Sequence, residues 1–477
     1  MTRALGAAEE LAIRSLIERA PLASSLADAF KSAGYRLALV GGSVRDAILG
    51  RLGNDLDFTT NAPPEVTKKI LSRWAENIWD TGIAFGTVTG KRGETTVEVT
   101  TYRSESYDVD SRKPEVKYGQ SLEGDLSRRD FTVNAMALEL TQGAPIFVDP
   151  FNGLEDLANR LLRTPGRAED SFSDDPLRMM RAARFAAQLN FIVAEDVMTA
   201  LKNMAGRISI ISAERVRDEF SKLLLSKNPR IGITILVESG LADIVLPEIP
   251  KLKLEIDEHH HHKDVYEHSL TVLDQAIALE YRIGGENLVS RLAALLHDIG
   301  KPKTRSHIAG GGVSFHHHEV VGARLAKERL KALRFDGKTI DDVSTLIALH
   351  LRFHGYGQGE WTDSAVRRYV RDAGDLLEYL HVLTRADCTT RNRRKAESLA
   401  ATYLSLEERI DVLMKQEELS KIRPDLDGGE IMKILEIKSS PVVGEALAFL
   451  LELRLERGPL DKEKAKEELI NWWAKQR

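Results

Sequence analysis

Cysteine is almost absent from this 477-residue sequence, in which Cys388 is the only one. The chain can therefore form no disulfide within itself, and its composition fits a reducing compartment. Long apolar runs are missing as well, and the amphipathic N-terminal pattern includes Glu9 and Glu10, unlike a signal peptide. These absences predict a cytoplasmic protein that has no membrane partner.

A strong excess of charge of either sign is also missing, because the formal net charge is −5 at pH 7. This balance argues against binding of polyanions over the whole surface, so a nucleic-acid partner would contact local basic patches. Such patches occur within residues 178–184, 215–222 and 391–395.

Histidine does not occur in the first 258 residues, and all 13 histidines lie between His259 and His381. A site that needs imidazole is therefore confined to the second half of the chain. The length suggests roughly three domains, and the Pro-containing stretch Leu246–Pro250 is a candidate boundary. The patterning predicts an α+β head with a small mixed sheet, followed by three helical parts. The predicted ranges are 1–32 for an N-terminal helical extension, 33–150 for the head, 151–250 for an all-α neck, 255–400 for an all-α histidine-containing domain and 401–477 for a helical tail.

The segment LVGGSVRDAILGRLGNDLDF, residues 39–58, has the pattern of a strand, a glycine turn, a short helix and a second strand. On the second strand, Asp55 and Asp57 share one face, while Leu56 and Phe58 share the other. An isolated Asp-x-Asp is most often a solvated turn. Its combination with the glycine turn and the strand-helix-strand pattern favours a metal site instead.

Carboxylates at this spacing suit Mg²⁺, which prefers oxygen ligands and leaves room for substrate phosphates. Glu98 lies in the alternating run Thr96–Thr100 and could supply a third carboxylate from a neighbouring strand. Two Mg²⁺ ions would activate an attacking hydroxyl and stabilise a leaving pyrophosphate. The turn at Gly41 and Gly42 would let backbone N–H groups approach a triphosphate, with Arg45 adding positive charge.

Four motifs occur in a fixed order along the first 219 residues: GGSVRD with the following LG and DxD, then RRDFTVNA, DDPLR and SAERVRDE, at residues 41–57, 128–135, 174–178 and 212–219. Together they resemble the head and neck of the class II tRNA nucleotidyltransferase and bacterial poly(A) polymerase family, within the DNA polymerase beta superfamily. The resemblance implies that the RRDFT and DDPLR motifs bind the incoming nucleotide.

The resemblance assigns base recognition to Asp175 and Arg178, which would hydrogen-bond the Watson–Crick edge in place of a nucleic-acid template. A carboxylate can accept from the exocyclic amine of cytosine or adenine, whereas uracil and guanine lack an amine at that position. The interval of three residues from Asp175 to Arg184 predicts one helix face, which by itself is also typical of an exposed salt-bridged face. The full predicted nucleotide-binding set is Gly41, Gly42, Arg45, Arg129, Asp175, Arg178, Arg181 and Arg184.

A second set of residues follows the apolar run Leu292–Leu296, which ends in the dipeptide His297-Asp298. The ordered set His, His-Asp, His, His, Asp on predicted helices resembles the HD phosphohydrolase superfamily. The resemblance implies one metal held by His268, His297, Asp298 and Asp387, and a second site completed by His318 and His350.

Imidazole and carboxylate ligands of this kind suit a divalent transition metal such as Mn, Fe, Ni, Co or Zn. Such a metal would activate water for attack on a phosphoester. The choice of His318 among three consecutive histidines rests on the family's His-Glu spacing. The run His259–His262 is more typical of a solvated linker.

The two resemblances together imply template-independent addition of CCA to the 3′ end of tRNA from CTP and ATP, with an additional phosphohydrolase activity. A poly(A) polymerase or a CC-adding enzyme of the same family remains an alternative, as does an HD phosphohydrolase that uses its head to bind RNA. The polar segment Ser106–Pro114 matches a family loop linked to the switch from C to A addition, which argues against addition of the terminal A alone. The tail is expected to contact tRNA, and its Trp472-Trp473 pair to pack in a core.

Overall fold

The computed structural model describes residues 10, 13–14, 21–102, 119, 121–141, 143–254, 264–307, 313–356, 361–390, 392–417 and 423–476. The segment Ser106–Pro114 and the run His259–His262 lie outside the described residues. The chain divides into two compact units, Met1–Val245 and Leu246–Arg477.

A mixed sheet forms the framework of the first unit. Its order is β3-β4-β5-β2-β1-β6-β7, and all neighbours pair antiparallel except β2 and β5, which are parallel. The strands are β1 (Leu37–Val40), β2 (Asp55–Thr60), β3 (Asn77–Trp79), β4 (Thr87–Arg92), β5 (Thr95–Thr101), β6 (Ala137–Glu139) and β7 (Ile146–Val148), with a separate parallel pair β8 (Leu161–Leu162) and β9 (Ile192–Val193).

The central strands form because their residues bury an apolar face. β1 is buried along its whole length, whereas β2 alternates between exposed and buried residues at its start. A half-buried strand of this kind can present polar side chains on its open face while its apolar side chains pack in the core. The start of β2 is therefore the part of the sheet where carboxylates remain accessible.

Helices flank the sheet and then form the rest of the first unit. The α-helices are α1 (Pro21–Ser32), α2 (Gly42–Ile48), α3 (Pro64–Trp74), α4 (Leu122–Ser127), α5 (Gly153–Asn159), α6 (Ala168–Asp174), α7 (Leu177–Leu189), α8 (Glu195–Met204), α9 (Ala213–Leu224), α10 (Pro229–Glu238) and α11 (Leu241–Val245). Short 3-10 helices cover Ile83–Phe85, Thr132–Asn134 and Ala205–Ile210.

The second unit is helical apart from one two-stranded antiparallel pair among its described residues, β10 (Ser306–His307) and β11 (Val313–Ser314). Its α-helices are α12 (Val265–Ala278), α13 (Leu288–Leu296), α14 (Lys301–Thr304), α15 (His318–Ala332), α16 (Gly337–Leu349), α17 (Asp363–Ala373), α18 (Leu377–Asp387), α19 (Arg393–Glu417), α20 (Gly428–Leu435), α21 (Pro441–Arg457) and α22 (Lys462–Gln476). Short 3-10 helices cover Pro250–Leu254, Glu280–Ile283, Arg352–Gly355 and Gly374–Leu376.

The last three helices enclose a small apolar core of their own, built around residues such as Ile431, Leu450 and Leu469. Trp472 and Trp473 pack against this core, and the Trp472 ring stacks on Phe449 with the centroids 5.5 Å apart. The expected packing role of the tryptophan pair is confirmed, as is the predicted fold class of an α+β head followed by helical parts. Every helix among the described residues is too short or too polar to cross a lipid bilayer.

Candidate functional site

Three acidic side chains share one face of the sheet in the first unit. Asp55 and Asp57 are exposed on β2, while the alternating Leu56 is buried. Glu98 on the parallel strand β5 is exposed and lies directly opposite Asp57 in the strand register. Because side chains of paired residues point to the same face, the structure brings the three predicted carboxylates together.

Helix α2 holds the backbone of this strand in place. The Asp57 N–H donates to the Ser43 hydroxyl over 2.8 Å, and the Ser43 side chain is buried. Crowding of the Asp57 carboxylate by protein atoms raises its pKa, and the nearby charge of Asp55 raises it further, although Arg129 and Arg45 lower it. The two aspartates therefore form a site of concentrated negative charge, which is the condition under which a divalent cation binds.

The glycine turn that precedes α2 is shaped by its neighbour Arg129. Gly41 has φ +69°, and a Cβ at this position would lie 2.5 Å from Nη1 of Arg129. The backbone conformation therefore favours glycine, and a larger residue would in addition displace the guanidinium group of Arg129. Arg129 is also paired with Asp125, whose Oδ2 lies 3.4 Å from Nη2.

Arg129 also lines a polar cleft of about 260 Å³ in which a nucleotide could lie. Its walls carry five arginines and two aspartates, so the net charge of the cleft is positive. The lining residues are Arg128, Arg129, Asp130, Asp175, Leu177, Arg178, Arg181 and Arg215.

Asp175 lies in this cleft, but it does not belong to the helix that carries the arginines. It has φ −142° and ψ 99°, and α7 begins only at Leu177. The prediction that Asp175 and the arginines share one helix was therefore wrong, because a residue that precedes a proline, here Pro176, is disfavoured in the helical region. Its carboxylate accepts from the Leu177 N–H over 3.1 Å and lies 3.3 Å from Nη2 of Arg215.

Arg178 has a fixed orientation in the cleft. Its Nη2 donates to the backbone carbonyl of Arg128 over 2.6 Å, and its Nη1 donates to the Ser171 hydroxyl over 2.9 Å. A guanidinium carries five N–H donors, so these contacts set the plane of the group and leave donors for a ligand. Arg178 and Asp175 thus present a donor and an acceptor side by side.

Arg181 lines the cleft and forms an ion pair with the buried carboxylate of Asp130. Its Nε and Nη2 donate to Oδ2 of Asp130 over 2.8 and 2.6 Å. Burial alone would raise the pKa of Asp130, but the charge of Arg181, a hydrogen bond from Asn134 and the charge of Arg178 lower it to about 2. Asp130 is therefore an anion that the protein itself neutralises, unlike Asp57.

Arg45 and Arg184 do not line the cleft, which differs from the expectation that both contact the nucleotide. Arg45 is buried and donates to both carboxylate oxygens of Asp46, over 3.0 and 2.7 Å, and to Asn134. Arg184 is buried against Glu219, with Nε 2.5 Å from Oε2. A buried guanidinium must find acceptors within the protein, and these two find them away from the open face.

Several side chains of this site were absent from the predicted set, namely Ser43, Arg128, Asp130, Asn134, Arg215 and Glu219. All of them lie within the four sequence motifs, the last of which ends at Glu219, so the motifs carried a signal for these residues. Glu219 lies one helical turn after Arg215 on α9.

The predicted HD residues of the second unit come together at the ends of helices. His268 lies inside α12, but His297 follows the last residue of α13 and His350 follows the last residue of α16. His318 is the first residue of α15, and Asp387 is the last residue of α18. Each of these residues lies on a helix, as predicted, or directly after its last residue. Four of the five lie at helix ends, where the ends of several helices meet.

These side chains form two trios whose ligand atoms lie within 4.8 Å of one another. The trios are His268, His297 and Asp387, and Asp298, His318 and His350. Asp298 also reaches the first trio, since its Oδ2 lies 3.2 Å from Nε2 of His297 while its Oδ1 lies 3.2 Å from Nε2 of His318. Asp298 is placed between the two trios, as a bridging carboxylate would be.

The hydrogen bonds of the imidazoles leave one nitrogen of each ring directed into the cluster. Nδ1 of His297, His318 and His350 lies 2.7–2.9 Å from a backbone carbonyl, which can only accept, so Nδ1 carries the proton. The Nε2 lone pair of each ring is then available to a metal, as in metal sites whose second shell fixes the tautomer. Nε2 of His297 lies 3.3 Å from Nε2 of His268, an approach of two nitrogens that a shared cation would stabilise.

The charges of the cluster also favour a cation. Oδ2 of Asp298 is buried and accepts no hydrogen bond of good geometry from the residues that the structure describes, although the ammonium nitrogen of Lys301 lies 3.0 Å away. Burial alone would lower the pKa of His297, but Asp298 and Asp387 outweigh it and raise the pKa to about 10. The cluster thus attracts added positive charge, and its buried histidines and aspartates could bind metal.

Close backbone contact allows this cluster to assemble. A Cβ at Gly300 would lie 2.1 Å from the carbonyl oxygen of His318 and 2.7 Å from the backbone nitrogen of Gly322. The turn after Asp298 can therefore touch α15 only because Gly300 has no side chain. Of the three consecutive histidines, the buried His318 joins the cluster, whereas the two that precede it are exposed.

Sequence profiles of three known families match the chain: the Poly A polymerase head domain over residues 37–163, the Probable RNA and SrmB- binding site of polymerase A over residues 190–252, and the HD domain over residues 265–392. An A-adding tRNA nucleotidyltransferase from Deinococcus radiodurans is 34% identical over 424 residues, which are 87% of this chain and 91% of that protein. The chain belongs to the class II tRNA nucleotidyltransferase and poly(A) polymerase family. The resemblance stated from the motifs is confirmed, and the protein is a nucleotidyltransferase with an HD domain.

A further member of this family, the CCA-adding enzyme from Streptococcus suis, is 32% identical over 435 residues, which are 91% of each chain. The crystal structure of the Bacillus stearothermophilus CCA-adding enzyme in complex with CTP has a TM-score of 0.68 at 24% sequence identity, over 96% of this chain and 98% of that one. The nucleotidyltransferase described here shares its fold.

Proposed function

We propose that this nucleotidyltransferase adds CCA to the 3′ end of tRNA, without a nucleic-acid template, from CTP and ATP. The observation that carries the proposal is the position of Arg129. Arg129 lines the cleft, and its positive charge lowers the pKa of Asp57 more than any other neighbouring charge does. The cleft that would hold a nucleotide therefore adjoins the carboxylates that would act on its phosphates.

Base selection is assigned to Asp175 and Arg178, which offer an acceptor and a donor on the cleft wall. Cytosine and adenine both carry an exocyclic amine that can donate a hydrogen bond to the Asp175 carboxylate. Arg178 can donate a hydrogen bond to a ring nitrogen or a carbonyl oxygen of the base. The other cleft arginines, among them Arg129, would donate to the triphosphate. This charge pattern explains how one cleft can take two different bases.

The transfer step joins the 3′-oxygen of tRNA to the α-phosphorus of the nucleotide and breaks the bond to pyrophosphate. Asp55 and Asp57, with Glu98 beside them, would hold Mg²⁺, which when bound supplies activation of the hydroxyl and stabilisation of the developing charge. Ser43 fixes the Asp57 backbone and therefore the direction of its carboxylate. Both carboxylates must be ionised for this role.

An enzyme that adds only the terminal A is a second candidate, since the relative from Deinococcus radiodurans is an A-adding enzyme at 34% identity over 424 residues. The CCA-adding relative from Streptococcus suis is nearly as similar, at 32% over 435 residues. The polar segment Ser106–Pro114 supports the full CCA activity by its resemblance to the family loop.

One assay tests these alternatives. The protein is incubated with tRNAs that end before CCA, after C and after CC, each with CTP, ATP, UTP or GTP alone, and the products are resolved at single-nucleotide length. Full CCA activity requires C addition to the first two substrates and A addition to the third. Activity on the third substrate alone would identify an A-adding enzyme, and long A tails a poly(A) polymerase.

The same assay tests the role of Asp175. Asp175→Ala should reduce the preference for CTP and ATP over UTP and GTP by about 5- to 150-fold, which corresponds to about 1–3 kcal/mol for a lost base contact. Asp170→Ala is the matched control, because Asp170 is exposed on the preceding helix α6. A slower Asp175 variant with unchanged nucleotide preference would make Asp175 a structural residue.

For the HD domain, the proposed activity is hydrolysis of phosphoesters with a divalent transition metal. His268, His297, Asp298 and Asp387 would hold one metal, which when bound lowers the pKa of water, and His318 and His350 would complete a second site with Asp298. Support comes from the inward-facing Nε2 atoms and the buried carboxylate of Asp298.

We also propose that the protein is located in the cytoplasm and that its helical tail contacts tRNA.

A further inference from the structure

A buried series of polar contacts links α2, which follows the glycine turn, to α7, which carries the cleft arginines. Arg45 donates to Oδ1 of Asn134, and Nδ2 of Asn134 donates to Oδ1 of Asp130 over 2.9 Å. Asp130 in turn accepts from Arg181 through its other carboxylate oxygen. We propose that Asn134 is a positioning residue for nucleotide selection, holding Asp130 and Arg181 in register with the catalytic strand β2.

The amide of Asn134 is suited to its place between opposite charges. It accepts from the cation Arg45 on one side and donates to the anion Asp130 on the other, which a carboxylate or a hydrocarbon group of similar size cannot do. The side chain is buried, with 5% of its surface exposed. Water therefore has little access to either contact, and the loss of the amide would leave two charged groups without these partners.

The catalytic end of this series is fixed by separate contacts. Ser43 accepts a hydrogen bond from the Asp57 N–H over 2.8 Å. Because Ser43 and Arg45 belong to the same short helix α2, a shift of this helix would move both Arg45 and the strand that carries the carboxylates. The turn that carries Asn134 is itself fixed, because the Thr132 hydroxyl donates to Asp156 over 2.6 Å. The amide therefore connects Arg45 on α2 to Asp130, the partner of Arg181 in the cleft, by hydrogen bonds.

The cleft end is fixed in the same manner. Arg181 lies 3.6 Å from Glu219 on α9, and Glu219 also pairs with Arg184. The guanidinium groups of Arg45 and Arg181 both lie against the ring of Phe185, each with its Cζ 5.4 Å from the ring centroid. Without the Asn134 amide, Oδ1 of Asp130 keeps the Phe131 N–H at 2.9 Å, but the Asp130–Arg181 pair loses its hydrogen-bonded connection to Arg45. A shift of this pair relative to β2 would then weaken the discrimination between bases.

The inference rests on the proposed function, and equilibrium binding without tRNA tests it directly. CTP and UTP are titrated into the unsubstituted protein, Asn134→Leu and Asn134→Asp, and single-nucleotide addition is measured on the same preparations. Asn134→Leu is close in size and removes both contacts, whereas Asn134→Asp keeps the acceptor for Arg45 and removes the donor to Asp130.

In both variants the ratio of CTP to UTP affinity should fall about tenfold, and KM for CTP should rise more than kcat falls. Thr59→Val is the matched control: Thr59 is buried in the same sheet and donates to the Thr100 carbonyl over 3.1 Å, away from this series. It should lower stability without changing the affinity ratio.

A folded variant of either kind that keeps the affinity ratio of the unsubstituted protein would overturn the positioning role. If Asn134→Leu does not fold, Asn134→Asp decides the question by the same ratio. Equal binding of CTP and UTP by the unsubstituted protein would instead contradict the proposed function, and with it the inference.

Discussion

At the scale of residues, the first unit holds two kinds of carboxylate that differ in what neutralises them. Asp130 is paired with Arg181 inside the protein, and its pKa is lowered to about 2. Asp57 is exposed beside Asp55, and its pKa is raised, first by crowding and then by the neighbouring charge. Asp130 thus stabilises the fold through its ion pair with Arg181, whereas Asp57 is accessible to an external cation.

Asp55→Asn or Asp57→Asn should therefore abolish nucleotide addition, with a loss of at least about 10³-fold in kcat, because a metal ligand is removed while the side-chain volume is kept. Rates are measured with Mg²⁺ on a tRNA that lacks its 3′ end. Asp80→Asn is the control, since Asp80 is an exposed carboxylate of the same unit that pairs with Lys68 at the surface. Addition at a rate near that of the unsubstituted protein in either variant would exclude these aspartates as metal ligands.

Asp130 gives a prediction about pH and stability. Its folded-state pKa of about 2 lies below the ordinary value of 3.8, so its ionisation stabilises the folded state above about pH 4 and this contribution is lost as the pH falls towards 2. The two values correspond to about 2 kcal/mol. Urea unfolding of the unsubstituted protein and of Asp130→Asn should show a difference in unfolding free energy near this size at pH 7 and about half of it at pH 3. A difference that grows on acidification would contradict the assignment.

Some of these roles could be predicted from the sequence and others could not. The shared face of Asp55 and Asp57 follows from the alternation of a strand, and Glu98 from the alternation of the next. The burial of Arg45 could not be predicted, because its acceptor Asn134 is 89 residues away in the sequence. Whether an arginine faces a ligand or the protein depends on which distant acceptors the fold brings to it.

At the scale of elements, helix termini determine both candidate sites. α7 begins one residue after Pro176, which leaves Asp175 in an extended conformation at the cleft. In the second unit, His297 and His350 each follow the last residue of a helix. The order of the HD residues along the chain was predictable from sequence, but the convergence of the helix ends required the packing of elements far apart in the chain.

Gly300→Ala tests this packing. The added Cβ would meet the His318 carbonyl oxygen at 2.1 Å, so the turn after Asp298 must move away from α15. We expect destabilisation by about 1–3 kcal/mol and a large decrease in the metal content of the HD domain, measured by elemental analysis after reconstitution. Gly337→Ala is the control, since a Cβ at that first residue of α16 would meet no atom within 4 Å. Full metal content in Gly300→Ala would show that this contact does not position the ligands.

At the scale of the whole molecule, the two candidate sites are built from separate sequence ranges and separate ligand chemistry. Asp298→Ala should remove transition-metal binding and any phosphohydrolase activity, because a gap among the first ligands weakens both affinity and water activation. Nucleotide addition with Mg²⁺ should persist, since Asp55 and Asp57 belong to the other unit. Metal content, hydrolysis of 2′,3′-cyclic nucleotides and of nitrophenyl phosphodiesters, and CCA addition are measured on one preparation.

His316→Ala is the matched control for this variant, because it removes an exposed imidazole close in sequence to the ligand His318. It should keep both metal and hydrolysis. Loss of nucleotide addition in a folded Asp298→Ala protein would mean that the two sites do not act independently.

The absence of histidine from the first 258 residues has a consequence for the behaviour of the molecule in mild acid. Imidazole is the side chain whose unperturbed pKa, about 6.5, falls between about pH 5 and 8. Acidification through that interval can therefore add imidazole protons in the second unit alone, because the first unit, Met1–Val245, contains no histidine. In mild acid the net charge of the second unit can therefore rise through imidazole protonation, whereas the net charge of the first unit cannot change in this way.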